Sequence, residues 1–314
     1  MLALTPNIQV VVAGIYAFLC ASSLFLTALI RLAPRFDFTE LKLRTRAWWF
    51  MVGTLTASIL LGKGITLALM AVVSYLALKE YLSAIPIRRA DRAILLFAYI
   101  AIPVQTYLIA AERYDLFIVF IPLYASVFLP VAMLFSGQTQ GYLRATASVG
   151  AGLFITVYLF GHLSYLLLLP DKLNPAAGSF GLMLYLVFLA QSNDVSQYIC
   201  GKLFGRRRMV PGISPGKTLE GFAGGLCFTI ALATLVAPWL TPFGRGEAIF
   251  SGCLIALCGF AGDVTLSAIK RDMGIKDWSQ LLPGHGGVLD RIDSLVIAAP
   301  LFFHFVTQRY GVGL

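Results

Sequence analysis

Charge is scarce in this chain of 314 residues: Asp, Glu, Lys and Arg make up 12% of it, about half of what a soluble globular domain carries. Acids are the scarcer sign, 15 against 24 Lys and Arg, and there are only three histidines. Such a surplus of basic charge could serve nucleic acid, but no segment forms a soluble basic domain, so membrane topology and anionic substrates account for it better. The five cysteines, Cys20, Cys200, Cys227, Cys253 and Cys258, have none of the paired spacings of zinc sites or disulfide frameworks and read as small buried hydrophobes. Internal repeats and low-complexity stretches are also missing, which excludes an array and leaves one integral domain over residues 1–314.

Hydrophobic residues fill the remainder, 59% of the chain. Ten apolar segments can be drawn, at about 8–30, 47–61, 65–82, 93–111, 116–135, 146–169, 178–199, 221–240, 249–269 and 295–307. Backbone in lipid must hydrogen-bond within its own segment, so the fold class is an all-α polytopic membrane protein of about 9–10 transmembrane helices. The first segment lacks a basic leader and is long for a signal-peptide core, so it reads as a retained span. The second and third are short and parted only by Gly62-Lys63-Gly64, the pattern of a possible re-entrant hairpin. Eighteen of the 24 Lys and Arg fall in the first, third, fifth, seventh and ninth loops, while the even loops hold one each. The positive-inside rule then puts the odd loops in the cytoplasm, in a bacterial inner membrane. Arg31, Arg35, Lys42, Arg44 and Arg46 in the first loop, followed by Trp48-Trp49, suit interfacial anchoring. Pro103, Pro122 and Pro130 fall inside spans, and 170–177 reads as an ordinary outward turn.

The acids that do occur gather late. Asp194 lies about five residues, roughly 8 Å, inside the cytoplasmic end of the seventh segment, and Asp263 about six residues inside that of the ninth. A charge in a span must face a cavity or a partner, so both are candidate site residues; simple ion pairs, Asp194 with Lys202 or Asp263 with Lys270, are the alternative. The stretch Gly262–Ser294 carries nine Asp, Lys or Arg in 33 positions. In it Asp290 and Asp293 share one helix face, and with Asp263 they would form a hard oxygen cluster suited to Mg²⁺ and substrate phosphates. Lys270, Arg271, Lys276 and Arg291 surround it with positive charge. Ser214-Pro215-Gly216-Lys217-Thr218 leads into the eighth segment, where free N–H groups and the helix dipole favour phosphate. Acids for a metal beside bases for phosphates point to phosphoryl or nucleotidyl transfer. His285, in a glycine-rich turn, is either a general base or a hydrogen-bond partner. His162 and His304 stand alone on apolar faces and read as structural.

Ser267-x-x-Lys270-Arg271, Lys276-Asp277, Pro283-Gly284-His285-Gly286-Gly287 and Asp290-Arg291-x-Asp293-Ser294 together resemble the C-terminal signature of the phosphatidate cytidylyltransferases, or CDP-diacylglycerol synthases. Asp194–Gly205 and Ser214–Gly221 resemble two further blocks of that family. The resemblance implies a Mg²⁺-dependent membrane nucleotidyltransferase that joins CTP and phosphatidic acid to give CDP-diacylglycerol and pyrophosphate in phospholipid biosynthesis, often as a homodimer. It implies N-terminal spans over about 1–177 and a catalytic part over about 178–310 with its site facing the cytoplasm. By position it implies Asp263 and Asp290 as metal ligands, with Asp194 and Asp293 as further candidates. Lys270 and Arg271 fall in the catalytic block, and Ser214, Lys217, Lys276, His285 and Arg291 in the substrate region. Three positions depart from the family pattern: Leu266 replaces an acid, Gln197 a small residue and Gly216 a lysine, so the metal shell is expected to be one carboxylate poorer.

In that reaction a phosphomonoester with its second pKa near ~6 is already ionised at neutral pH, so His285 is not needed as a base. Three other readings stay open at this stage, one of them a catalytically inactive lipid-binding homologue, raised by Leu266 and Gly216. A CTP-dependent lipid kinase would need a base such as Asp194 or His285. An ion or lipid transporter would use Asp194 and Asp263 as coupling-ion sites.

Overall fold

The computed structural model describes residues 5–33, 36–86, 88, 92, 94–135 and 137–311; Arg35 of the first loop lies outside them. Ten helices run through these residues: α1 Pro6–Leu32, α2 Thr39–Leu61, α3 Lys63–Ala84, α4 Ile94–Ala110, α5 Tyr114–Leu134, α6 Tyr142–Leu168, α7 Gly178–Phe204, α8 Leu219–Leu240, α9 Arg245–Asp272 and α10 Leu289–Arg309. Each coincides with one of the ten apolar segments, as expected where the backbone must satisfy itself. The protein is an all-α polytopic membrane protein, and α1, α3, α5, α6, α8 and α9 are long and apolar enough to span unaided. α4 is short of that length at 17 residues. α2 carries the charges of the interfacial stretch, and α7 and α10 carry some of those near the site.

Several local expectations change. α2 and α3 are full helices of 23 and 22 residues, each about 33 Å long at 1.5 Å per residue, so neither is a short re-entrant arm. Gly62 joins them at φ 105°, a conformation open to glycine at no steric cost. Pro122 lies in a π-helical turn, Phe120–Ala125, where the Ser126 hydroxyl donates to the Ile121 carbonyl at 2.9 Å. The stretch 170–177 is more than a turn. Asp171 accepts from the Ser179 amide and hydroxyl and pairs with Lys63, and the Asn174 amide donates to the Gly178 and Leu240 carbonyls. Only Cys258 of the cysteines is buried; Cys20 and Cys227 are exposed and Cys200 and Cys253 half-buried, because the outer faces of spanning helices meet lipid rather than protein.

One departure from the all-helical expectation bears on the site. Between α7 and α8 a small antiparallel hairpin forms, β1 Arg208–Val210 with β2 Ser214–Thr218, pairing Arg208 with Thr218 and Val210 with Ser214. Thr218 then caps α8, its hydroxyl accepting from the Gly221 amide at 3.1 Å. Glu220 folds back to accept from the Arg206 and Arg207 amides.

α7, α8, α9 and α10 pack as one group, with α6 and α3 laid against α10 and α1 at the periphery. The largest fully buried side chains include Tyr185, Phe302 and Phe303 of this group and Phe117 and Phe160 of α5 and α6. Loops separate by parity. The third touches the fifth through Arg88 and the Gln138 carbonyl, the first touches the ninth through Arg44 and the Gly284 carbonyl, and the ninth touches the seventh through Arg271 and the Ile213 carbonyl. On the opposite face Lys63 meets Asp171, Asn174 meets Leu240, and Tyr310 meets the Pro242 carbonyl.

Candidate active site

The site lies within the α7–α10 group, toward the face formed by the odd loops. α7 and α9 run past their apolar segments, so Asp194 and Asp263 sit ten and nine residues from the ends of their helices. Their depths match, and the Asp263 charge acts on Asp194. α10 adds Asp293, which is buried and lies in the field of both. Gly262 makes the approach possible: a Cβ there would stand 2.3 Å from the Asp293 carbonyl oxygen, far inside contact distance, so only a bare Cα lets α9 and α10 close at this level.

Among these three carboxylates one cation is bound directly. Lys217 reaches in from β2 to Asp263 Oδ2 at 2.5 Å and crosses the Phe260 ring 4.6 Å from its centroid. Ser267, one turn after Asp263, donates to its Oδ1 at 3.1 Å. Arg291 is close enough for its charge to act on Asp194 and Asp293. Neither simple ion pair weighed from the sequence forms, since Lys202 lies over the Tyr198 ring and Lys270 pairs with Asp290.

Asp290 is held differently. Its Oδ1 accepts from buried Lys270 at 2.6 Å, and its Oδ2 from the backbone amides of Trp278 and Gly287 at 3.0 and 2.9 Å. Asp290 and Asp293 therefore do not act as one face. Asp290 turns to the loop before α10, while Asp293 accepts from the Ser294 amide and lies in the field of Asp263 and Asp194. The sequence pairs Asp263 with Asp290 as metal ligands, but the structure spends both oxygens of Asp290 on a lysine and two amides.

The remaining residues of the sequence reading divide. Ser214 and Lys217 stand on the strand beside the acids. Arg271 gives Nε to the Ile213 carbonyl and Nη1 to the Ile275 carbonyl, tying the hairpin to the ninth loop, and Lys276 is exposed. His285 is half-buried with its ring edge-on to Trp48 at 6.1 Å. Burial, then the charges of Arg291 and Arg44, push its pKa down to about 4, so at neutral pH it offers a hydrogen bond but no charge. His162 is fully buried, with Nδ1 3.0 Å from the Tyr158 carbonyl.

The three departures from the family pattern find physical places. Leu266 is fully buried in the apolar core. Gln197 lies over the bare Cα of Gly225, where a Cβ would meet its Cγ at 2.3 Å. Gly216 has open space around it.

Two groups escaped the sequence reading. Asn193 and Ser294 are fully buried beside Gly259, next in sequence to Asp194 and Asp293, and Thr229 is fully buried with them. Thr229 donates to Asn193 Oδ1 at 3.1 Å, Asn193 Nδ2 has no protein partner, and the Ser294 hydroxyl lies beside Asp194. Asn193 and Ser294 stand next to acids that took the weight of the reading, and Thr229, a lone polar residue in an apolar run, carries no pairing signal. The other is Glu80 on α3, buried and bonded to the loop before α10. A carboxylate inside the 65–82 apolar segment was the signal that could have found it.

As to Mg²⁺, no group of three or more His, Cys, Asp or Glu side chains closes on a single point among the described residues. The donor chemistry still fits, because this cation takes one or two carboxylates and completes its shell with water and substrate phosphates. Asp263, flanked by Asp194 and Asp293, could supply those carboxylates.

Comparison with known proteins places this geometry. Residues 42–308 match the cytidylyltransferase family. The chain is 40% identical over 294 residues to the uncharacterized protein YnbB of Escherichia coli K12, covering 94% of this chain and 96% of that one. It is also similar to the phosphatidate cytidylyltransferases of Haemophilus influenzae, 42% identical over 42% of this chain and 47% of theirs, and of Pseudomonas aeruginosa, 44% identical over 39% and 46%. The similarity thus spans about half the length of those two enzymes, whereas the family match takes in α2 to α10 and every residue of the site. The chain belongs to the cytidylyltransferase family.

Proposed function

We propose that the protein is a nucleotidyltransferase that joins CTP to a lipid phosphate, phosphatidic acid in the first instance, releasing pyrophosphate. The observation that carries this reading is the meeting of Asp194, Asp263 and Asp293 with Lys217 at one level of the bundle. Carboxylates that repel one another unless a divalent cation joins them, beside bases on a mobile-lipid face, suit two phosphate-bearing substrates.

A non-bridging oxygen of the lipid phosphate attacks the α-phosphorus of CTP. The new phosphorus–oxygen bond forms as the bond to the β-phosphate oxygen breaks, and pyrophosphate leaves with that electron pair. The nucleophile is already ionised at neutral pH, so catalysis consists of positioning and charge neutralisation rather than proton removal. Mg²⁺ held by Asp263, with Asp194 and Asp293 beside it, would neutralise charge on the CTP phosphates. Lys217, on a strand at the cluster's edge, trades Asp263 for an incoming phosphate. Arg291, whose buried Nε has no protein partner, is free to hold a second anion. Lys270 stays on Asp290 and shapes the loop.

The test supplies purified protein in mixed micelles with phosphatidate, Mg²⁺ and CTP labelled in turn at the α and γ phosphates. Alpha label in the lipid, with pyrophosphate released, is the expected result. Gamma label in a lipid alcohol supplied alongside would replace this reading with a kinase, and no transfer from either position would remove it for phosphatidate.

A further inference from the structure

Four charged residues are buried among the described residues: Lys270, Asp290, Asp293 and Glu80. Three belong to the site. The fourth stands on α3, in the half of the chain that contributes none of the carboxylates or bases above, and both its oxygens are used. Glu80 Oε1 accepts from the Ser279 hydroxyl at 2.6 Å and the Val288 amide at 2.9 Å, and Oε2 accepts from the Leu289 amide at 2.9 Å.

Val288 is the residue that precedes α10, and it makes no cap with its own side chain. The free amides and positive dipole end of this helix are met instead by a carboxylate more than 200 residues away in sequence. Two positions on, Asp290 binds the Trp278 and Gly287 amides. The loop 278–289 is therefore pinned at its base by two carboxylates, one from within and one from α3. Tyr81, next to Glu80, packs its ring 5.4 Å from that of Trp278. Gly287 must lack a side chain, because a Cβ would stand 2.4 Å from Glu80 Oε2.

We infer that Glu80 is a positioning residue for the reaction: it fixes the start of α10, and with it Asp290, Arg291 and Asp293, relative to Asp263 on α9. Its kinetic consequences rest on the nucleotidyltransferase reading, while its structural ones do not. Glu80 touches neither Asp263 nor Lys217, so its loss alters the placement of the acids and not the supply of ligands.

The experiment compares wild type with Glu80→Gln and Glu80→Asp, purified in detergent, by amide hydrogen exchange and by steady-state kinetics. Gln keeps the volume but turns one acceptor into a donor facing N–H groups, which leaves buried amides unpaired. Exchange over 278–289 is expected to quicken by about tenfold or more in Glu80→Gln, with α7, α8 and α9 unchanged. The kinetic arm should show kcat falling by about tenfold or more, with KM for CTP and for phosphatidate within about threefold, and partial recovery in Glu80→Asp. Unchanged exchange over 278–289 overturns the inference, as does loss of protection throughout the bundle, which marks a general structural acid. A kcat within about twofold of wild type overturns the positioning role even if the loop opens. If wild type itself transfers no cytidylyl group, the nucleotidyltransferase reading fails and the exchange pattern alone decides whether Glu80 fixes α10.

Discussion

Asp263 and Asp290 occupy equivalent places in the sequence signature, yet the structure gives them opposite environments, and substitutions should separate them. The Asp263 side chain is 25% exposed and faces a lysine and two acids; Asp290 is buried and compensates Lys270 and two amides. Breaking a buried, hydrogen-bonded ion pair from one side costs about 3–5 kcal/mol, against at most about 1 kcal/mol for an accessible pair. Asp263→Asn should therefore leave unfolding in detergent nearly unchanged while abolishing transfer. Asp290→Asn should lower the thermal midpoint by many degrees and lose activity with it. Equal stability of the two variants, measured by thermal unfolding, would contradict this division. The residue types and their spacing mark a cluster of acids and bases from sequence alone. Which carboxylate faces which partner depends on where side chains point across a helix interface, and spacing carries no information on that.

At the scale of elements, the acids meet because glycines remove side chains where helices cross. Gly262 faces the Asp293 carbonyl, and Gly259 faces Asn193 and Ser294. Gly262→Ala is expected to push α9 from α10, with a destabilisation of about 1–3 kcal/mol of the kind caused by overpacking. Because the carboxylates are carried on the displaced helices, kcat should fall by a larger factor than stability alone explains. Thermal unfolding and kinetics on the same preparation check both. Helix existence was legible throughout, since every apolar segment became a helix. The hairpin Arg208–Thr218 was not, because Ser-Pro-Gly-Lys-Thr has little intrinsic strand preference and is extended here by pairing and by Arg271 holding the Ile213 carbonyl.

For the molecule as a whole, the separation of odd from even loops agrees with the distribution of Lys and Arg, and it carries a prediction about sidedness. In a cysteine-free background, single cysteines at Gly216, on the hairpin, and at Gly246, in the first turn of α9, both have open space around them. An impermeant thiol reagent should label them from opposite sides of a vesicle, with Gly216→Cys on the cytoplasmic side that CTP reaches. Labelling of both from one side would refute the topology.

The sequence by itself determined the class, the ten helices, the parity of the loops and the clustering of acids and bases in the last third of the chain. Each follows from a local cost: unpaired backbone in lipid, and charge placed within or beside an apolar run. Only the tertiary structure decided that Asp290 spends its oxygens on Lys270 and two amides rather than beside Asp263, and that Glu80 reaches the start of α10. Those choices come from packing surfaces brought together over long sequence separations, where the partner of a buried charge is whichever group the fold delivers within hydrogen-bond reach.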